Sequence, residues 1–241
     1  MNKTSIIIPT YNGGALLREC IASIRAHTPQ PHEIIVVDNG SVDGTAHLCR
    51  QEEVTFISLA HNAGFPAACN CGLQLASGDA LVLLNNDVLV TRNWLNNMLA
   101  CLSSSGDIGL VGPMTNYASG RQQLDEPFTH VEDMAARHND PDPSKWREST
   151  RIVGLCMLFK RELMERIGLL DERFSPGHYE DDDYCWRARM AGYRCVIAGD
   201  VFVFHHGSAS FGQQAEAELQ QLIAVNRDKF IAKWGAAPPA E

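Results

Sequence analysis

The sequence predicts an α/β fold: a mainly parallel, twisted sheet flanked by helices on both faces, in a single domain over residues 1–241. Three observations predict it. Short runs of branched apolar residues alternate with helical periodicity at the spacing of strand–helix–strand units. Within those runs apolar and polar residues do not alternate, as expected of strands covered on both faces. Finally, three of the runs stop abruptly in polar residues, and in such sheets ligands bind beyond the carboxyl ends of the strands.

The first run, Ser5-Ile-Ile-Ile-Pro9, ends in Thr10-Tyr11-Asn12. Leu17, Ile21 and Ile24 then recur at helical spacing, and Thr28-Pro29-Gln30-Pro31 makes a turn. The second run, Ile34-Ile35-Val36-Val37, stops at Asp38-Asn39-Gly40-Ser41. A helix follows near 43–51, with Ser41 the better-placed cap, then a strand at 54–59 and a helix near 65–77. The strongest strand is Ala80-Leu81-Val82-Leu83-Leu84, ending in Asn85-Asn86-Asp87. Residues 113–150 carry Pro113, Pro127, Pro141 and Pro143 and show no periodicity; a stretch of this kind is expected to border a ligand site and to order on binding, with Thr115, Asn116 and Tyr117 at its start. Beyond it lie an apolar run at 152–159, four acids at 180–183, strands at 194–198 and 201–204, and an amphipathic helix at 214–234 with Leu219, Leu222, Ile223 and Phe230 on its apolar side.

A formal charge of −9 argues against nucleic acid or an anionic membrane as the main partner. No apolar run approaches the ~18–20 residues needed to span a bilayer, so no transmembrane segment is expected. The cytoplasm is the expected location, at most peripheral to the inner face of a membrane. The eight cysteines sit inside apolar patterns rather than at framework spacings, which reads as reduced, mostly buried thiols.

Several pieces then form an ordered set: Ser5-Ile-Ile-Ile-Pro-Thr-Tyr-Asn12, Ile34-Ile-Val-Val-Asp-Asn-Gly-Ser41, Asn62-Ala-Gly-Phe65 and Leu83-Leu-Asn-Asn-Asp-Val88. Further along come Gly168-Leu-Leu-Asp-Glu-Arg-Phe174, Glu180-Asp-Asp-Asp-Tyr-Cys-Trp-Arg187, Asn226 and Lys233-Trp234. In this order, over most of the chain except roughly 121–150, the sequence resembles glycosyltransferase family 2, which has the GT-A fold. The resemblance implies an inverting transfer from a nucleotide-diphosphate sugar to a hydroxyl of a glycan, a lipid-linked glycan or a protein. Residues 1–112 would form the nucleotide-sugar half, and 113–241 the acceptor and catalytic half with the C-terminal helix.

A nucleotide sugar brings a base, a ribose and a charged pyrophosphate. Asp38 can accept from a base N–H and Tyr11 can lie against the base; the resemblance adds backbone contacts at Pro9 and Thr10. It also places Asn12, Asn62, Gly64, Asn70, Asn85 and Asn86 around the donor. Asp87 stands where the family's metal-binding DxD motif falls, with Asn85 in place of the first acid, and supplies an oxygen ligand to a hard divalent cation. Of His205 and His206 only one can face the cation, because neighbours on a strand point to opposite faces; the resemblance selects His205. An imidazole ligand favours Mn²⁺ over Mg²⁺. Among the four acids, the family places its general base at Asp181, whose pKa like charges would push upward. Glu180, Asp182, Asp183 and Arg187 would support the acceptor side and the helix, Asp183 and Arg187 as an exposed i,i+4 pair.

Two alternatives stay open. One is a Rossmann-type nucleotide enzyme, although G-x-G-x-x-G and the P-loop are absent after the first strand. The other is a non-catalytic sugar-nucleotide-binding module, or a fragment of a larger transferase.

Overall fold

The structure, a computed structural model, describes residues 3–207 and 216–239. Among the described residues nine strands and eight α-helices follow one another as β1 (Thr4–Thr10), α1 (Gly14–His27), β2 (His32–Asp38), α2 (Thr45–Gln51), β3 (Thr55–Ser58), α3 (Phe65–Leu75) and β4 (Ala80–Leu84). Then come β5 (Val88–Leu89), α4 (Trp94–Ser103), β6 (Ile108–Thr115), α5 (Val131–His138), β7 (Trp146–Ser149) and β8 (Cys156–Lys160). The chain continues through α6 (Arg161–Ile167), α7 (Glu180–Met190), β9 (Arg194–His205) and α8 (Glu216–Trp234).

The strands lie in the order β3-β2-β1-β4-β8-β6-β9-β5, with β7 also pairing β9. Parallel pairing holds β3, β2, β1 and β4 together, in line with the unbroken apolar runs of β1, β2 and β4. The second half of the sheet is mixed, because β8 runs antiparallel between β4 and β6, and β5 and β7 oppose β9. The expectation of a mainly parallel sheet is therefore corrected at β5, β7 and β8. Two successive reversals cancel, so β6 and β9 again run with β1. This parity is what positions the site. The carboxyl ends of β1, β2, β4, β6 and β9 all open on one edge of the sheet.

Both sheet faces are buried. On one, Leu17, Cys20, Ile21 and Ile24 of α1 and Trp94, Leu95 and Met98 of α4 meet Ile6, Ile8, Val82 and Leu84. On the other, Ala68, Cys69 and Leu73 of α3 and Tyr184 and Ala188 of α7 meet Ile7, Leu83 and Phe159. The expected apolar face of α1 is thus the observed one, with Cys20 added. All eight cysteines are free thiols, seven buried and Cys71 half-buried.

Two segments depart from expectation. Residues 113–150 are not structureless: they contain the end of β6, α5 and β7. Their anchor is Asn139, buried, which donates to Thr91 Oγ1 and the Arg92 carbonyl and accepts from the Phe202 N–H. The two strands expected at 194–198 and 201–204 are one bent strand. Pro113 pairs with Ala198 but Met114 with Phe202, so residues 199–201 bulge out. Gly199 is required there, since a Cβ would lie 2.4 Å from the Lys145 carbonyl oxygen. Of the helix expected at 214–234, residues 214 and 215 lie outside the described residues. Phe230 is buried, but Leu219, Leu222 and Ile223 are only half-buried. No helix among the described residues is long and apolar enough to cross a membrane.

Candidate active site

At the shared strand edge lies a cleft of about 630 Å³. Thr10 at the end of β1 and Tyr11 just past it, Asn39 after β2, Asn85, Asn86 and Asp87 after β4, and His205 at the end of β9 reach it. More of its wall comes from Arg151 and Val153–Leu155 before β8, and from Pro176–His178, Glu180 and Asp181, where the chain turns into α7.

Asp87 and His205 meet there. Both are buried, and Asp87 Oδ1 is 3.2 Å from His205 Nε2. The short pairing of β5 with β9, Val88 opposite His205, brings the two together. His205 Nδ1 lies 2.8 Å from the Tyr117 carbonyl oxygen. A carbonyl only accepts, so Nδ1 carries a proton and Nε2 faces Asp87. Burial alone would lower the imidazole pKa, but the Asp87 carboxylate outweighs it and holds His205 above its ordinary value. Asn116 fixes the strand end, accepting from the His205 N–H and donating to its carbonyl. His206 turns away, its Nε2 3.5 Å from Glu19.

A carboxylate oxygen and an imidazole nitrogen converging in this way, with a carbonyl on the far ring nitrogen, have the donor chemistry of a divalent cation site. Among the described residues no group of three or more His, Cys, Asp or Glu side chains could hold a metal. Further ligands to a cation between Asp87 and His205 would have to come from substrate oxygens or water.

Asp181 is the buried carboxylate on the α7 side. It sits in the first helical turn, where backbone N–H groups and the helix dipole favour negative charge. Its Oδ2 accepts from Arg151 Nη2 at 3.1 Å and from the Gly154 N–H at 3.0 Å; Oδ1 accepts from the Asp182 N–H at 2.9 Å. Burial would raise its pKa, but the Arg151 charge and these donors outweigh it and hold Asp181 below the ordinary carboxylate range. The expectation that like charges push Asp181 upward is corrected: Glu180 takes that shift instead. Burial, reinforced by the Asp181 charge, pushes Glu180 well above the usual range. Neighbouring acids driven apart in this way divide the roles of protonated and ionised group between them.

The turn before α7 is strained. His178 and Tyr179 both adopt positive φ, 70° and 72°, which costs non-glycine residues of order 1–3 kcal/mol each. Asn226 of α8, itself buried, holds the turn by donating to the carbonyls of Phe174 and Gly177.

Other expected site residues fall in different places. Pro9, Thr10, Tyr11, Asn62, Asn85 and Asn86 line the cleft, with Asn86 donating to Thr10 Oγ1 at 2.8 Å. Asp38 does not line it: buried behind Asn39, it accepts from the Ser41 N–H. Asn12 is exposed and braces the neighbouring loop through Val42 N–H. Gly64 starts α3 at φ 92°, where a Cβ would collide with Ser175. Asn70 is a structural residue away from the cleft, exchanging hydrogen bonds with the Leu170 backbone and donating to Glu172. Ser41 is not the α2 cap, because Asp43 accepts from Thr45 N–H while Ser41 Oγ accepts from Asn12. Asp183 and Arg187 do pair, at 2.8 Å, but Asp183 is fully buried and the pair is not exposed. Asp182 lies 3.3 Å from Arg151 Nε.

Sequence reasoning missed Arg151, His178 and Leu219 on the cleft. A lone basic residue directly before an apolar strand was the available signal for Arg151.

The chain is similar to three proteins in particular. An uncharacterized protein of Sinorhizobium fredii is 29% identical over 95% of this chain, which spans only 27% of that protein's length. Glycosyltransferase AglE of Haloferax volcanii is 27% identical over 95% of this chain and 79% of its own. Among solved structures, the mannosyltransferase PcManGT from Pyrobaculum calidifontis, in complex with GDP-Man and Mn²⁺, superposes with a TM-score of 0.70 at 24% identity, over 98% of this chain and 66% of that one. That superposition shows a shared fold, the GT-A type. The family profile of glycosyl transferase family 2 matches residues 5–168, well over half the sequence and up to a point just short of α7, and on that match the chain belongs to glycosyl transferase family 2.

Proposed function

We propose that this chain is an inverting glycosyltransferase that moves a sugar from a nucleotide-diphosphate sugar to a hydroxyl acceptor. The observation that carries the reading is one cleft holding both an Asp87–His205 pair suited to a cation and a buried, ionised Asp181. Residues 1–112 supply the nucleotide-facing wall: Tyr11 lies against the base, and Thr10, Asn62, Asn85 and Asn86 offer hydrogen bonds to ribose and sugar. Residues 113–241 supply Asp181 and the acceptor side.

Asp181 takes the proton of the acceptor hydroxyl as its oxygen bonds to the anomeric carbon. The bond from that carbon to the diphosphate oxygen breaks on the opposite face, which inverts the centre. Glu180, kept protonated by burial, can donate a hydrogen bond to the bound sugar or acceptor without competing as a base. When bound between Asp87 and His205, a divalent cation supplies positive charge for the departing diphosphate, and the imidazole favours Mn²⁺ over Mg²⁺. Glycan, lipid-linked glycan and protein hydroxyls are the acceptor classes, and the buried thiols suit the reducing cytoplasm.

The test is a panel of UDP-, GDP- and dTDP-sugars with Mn²⁺, read by calorimetric binding and by release of nucleoside diphosphate. Turnover by the wild type should fall by at least ~10²-fold in Asp181→Asn while binding persists. Asp87→Ala should erase the difference in affinity between Mn²⁺ and chelator. Binding without turnover across the panel would leave a sugar-nucleotide-binding module in place of an enzyme.

A further inference from the structure

Arg151 is the one basic side chain described on the cleft wall beside Asp181, and it contacts two of the four acids. Its contacts are directional. Nη2 and the Gly154 N–H both bind Oδ2 of Asp181, which leaves Oδ1 with the Asp182 N–H as its donor. A carboxylate oxygen has two lone pairs, so Oδ1 keeps one to offer a hydroxyl. Three bonded donors also fix the plane of the carboxyl group. We propose that Arg151 is a positioning residue that clamps Oδ2 of Asp181 and thereby makes Oδ1 the atom that accepts the acceptor proton. This rests on the reading of Asp181 as the base.

The surroundings explain why a clamp is needed. Asp181 is faced by Glu180, Asp182 and Cys185 from α7 and by His178 and Tyr179 from the strained turn. Burial holds the His178 imidazole below its ordinary value, which disfavours positive charge there. Glu180 is buried, lines the cleft, and its Oε2 has no hydrogen-bond partner among the described residues. Without Arg151 the two adjacent acids would compete for one proton, and either could hold it. Of the two, only Asp181 receives a hydrogen bond from Arg151, which favours the charge on Asp181 and the proton on Glu180. The Asp181 and Asp182 charges in turn keep Arg151 firmly protonated.

The experiment compares Arg151→Lys, Arg151→Gln and Arg151→Met with the wild type. The first readout is the pH profile of turnover on the nucleotide sugar that the wild type hydrolyses in the panel above. In the Gln and Met variants kcat should fall at least roughly tenfold at pH 7 with donor KM little changed, and the acid limb should move up by about one unit or more. Arg151→Lys, which keeps the charge, should return the limb most of the way. The second readout needs no turnover: carboxyl ¹³C shifts of aspartate-labelled protein, with Asp181 assigned by its loss in Asp181→Asn. That signal should titrate below the ordinary carboxylate range in the wild type and higher in the Gln and Met variants. An unmoved Asp181 titration overturns the clamp, as does a rise in donor KM with an unchanged acid limb. A moved titration in a chain that turns over none of the panel overturns the transferase reading and not the clamp. If Arg151→Met fails to fold, Gln and Lys carry the comparison.

Discussion

Asp183, last of the four acids in the first turn of α7, has no exposed surface at all. Arg187 Nε donates to its Oδ2, and Lys233 Nζ and Trp234 Nε1 donate to Oδ1. An amide there would leave an arginine and a lysine facing a neutral group in a partly buried site. Asp183→Asn should therefore cost roughly 3 kcal/mol, well above the ~0.3–0.5 kcal/mol of an exposed helix pair, measured by urea unfolding. Nucleotide-sugar binding by the protein that remains folded should be retained. A loss under 1 kcal/mol would mean that α8 contributes little to holding α7. That polar residues follow the apolar strands and that four acids open a helix are short-range patterns, but the choice of His205 over His206, and of Asp181 among the four acids, comes from the resemblance alone. Asp38 stands past an apolar strand just as Asp87 does, yet its partner is Ser41, and Asn70, placed by the resemblance alone, pairs with Leu170. What separates a cleft residue from a brace is which backbone stands opposite, and that is a tertiary fact. Arg151 shows the same limit: its place before an apolar run is visible in the sequence, but its partner Asp181, 30 residues along the chain, is not.

At the scale of elements, α8 and the turn before α7 work as a unit. Phe230 is buried against Phe174 and the edge of Trp186, and Asn226 reaches the carbonyls of the strained segment. Holding His178 and Tyr179 at positive φ needs such contacts, because the turn has no glycine at either position. Asn226→Ala should cost about 1–3 kcal/mol for the carbonyls left without donors. It should also lower turnover more than donor affinity, since the turn aims Asp181 while the nucleotide wall comes from β1, β2 and β4. Equal losses in both would show that the turn does not set the base. The reading of elements succeeded and failed for visible reasons. Strands β1 to β4 are legible to within a residue or two, because each has an apolar centre and is bounded by turn residues. Helix α5 was missed because it is 8 residues long with only Met134 and Ala135 buried. Strand β7 was missed because three of its four residues remain accessible. Their position is set by Asn139 and by Asp200, which accepts from Trp146 Nε1, and neither contact has a sequence period.

Across the whole molecule, a formal charge of −9 is carried by acids whose environments pull in opposite directions. Glu33 ties β2 to β1 and to the turn before β4 through Lys3, Ser5 and Ser77. Burial would raise its pKa, but those donors outweigh burial and hold it at about 2, against an ordinary 4.5. Asp43, Asp171 and Asp181 are lowered as well. For each, the unfolded chain binds the proton first as pH falls, so the stability they contribute is complete above the ordinary carboxylate range and is lost on acidification. For Glu33 that window runs from about 4.5 down to about 2. Glu180 has the opposite sign. The fold holds its proton more tightly than the unfolded chain does, so its contribution is greatest at low pH and is lost as pH rises toward its elevated pKa. Urea midpoints measured from pH 3 to pH 8 should therefore separate two substitutions that look alike on paper. Glu33→Gln should flatten the acid side of the stability curve and leave the neutral side parallel to wild type. Glu180→Gln should do the reverse, gaining on the wild type between pH 5 and pH 8 and matching it near pH 3. If Glu180→Gln instead tracks the wild type in parallel at every pH, the buried acid is ionised in the fold. The division of proton and charge between Glu180 and Asp181 then fails with it.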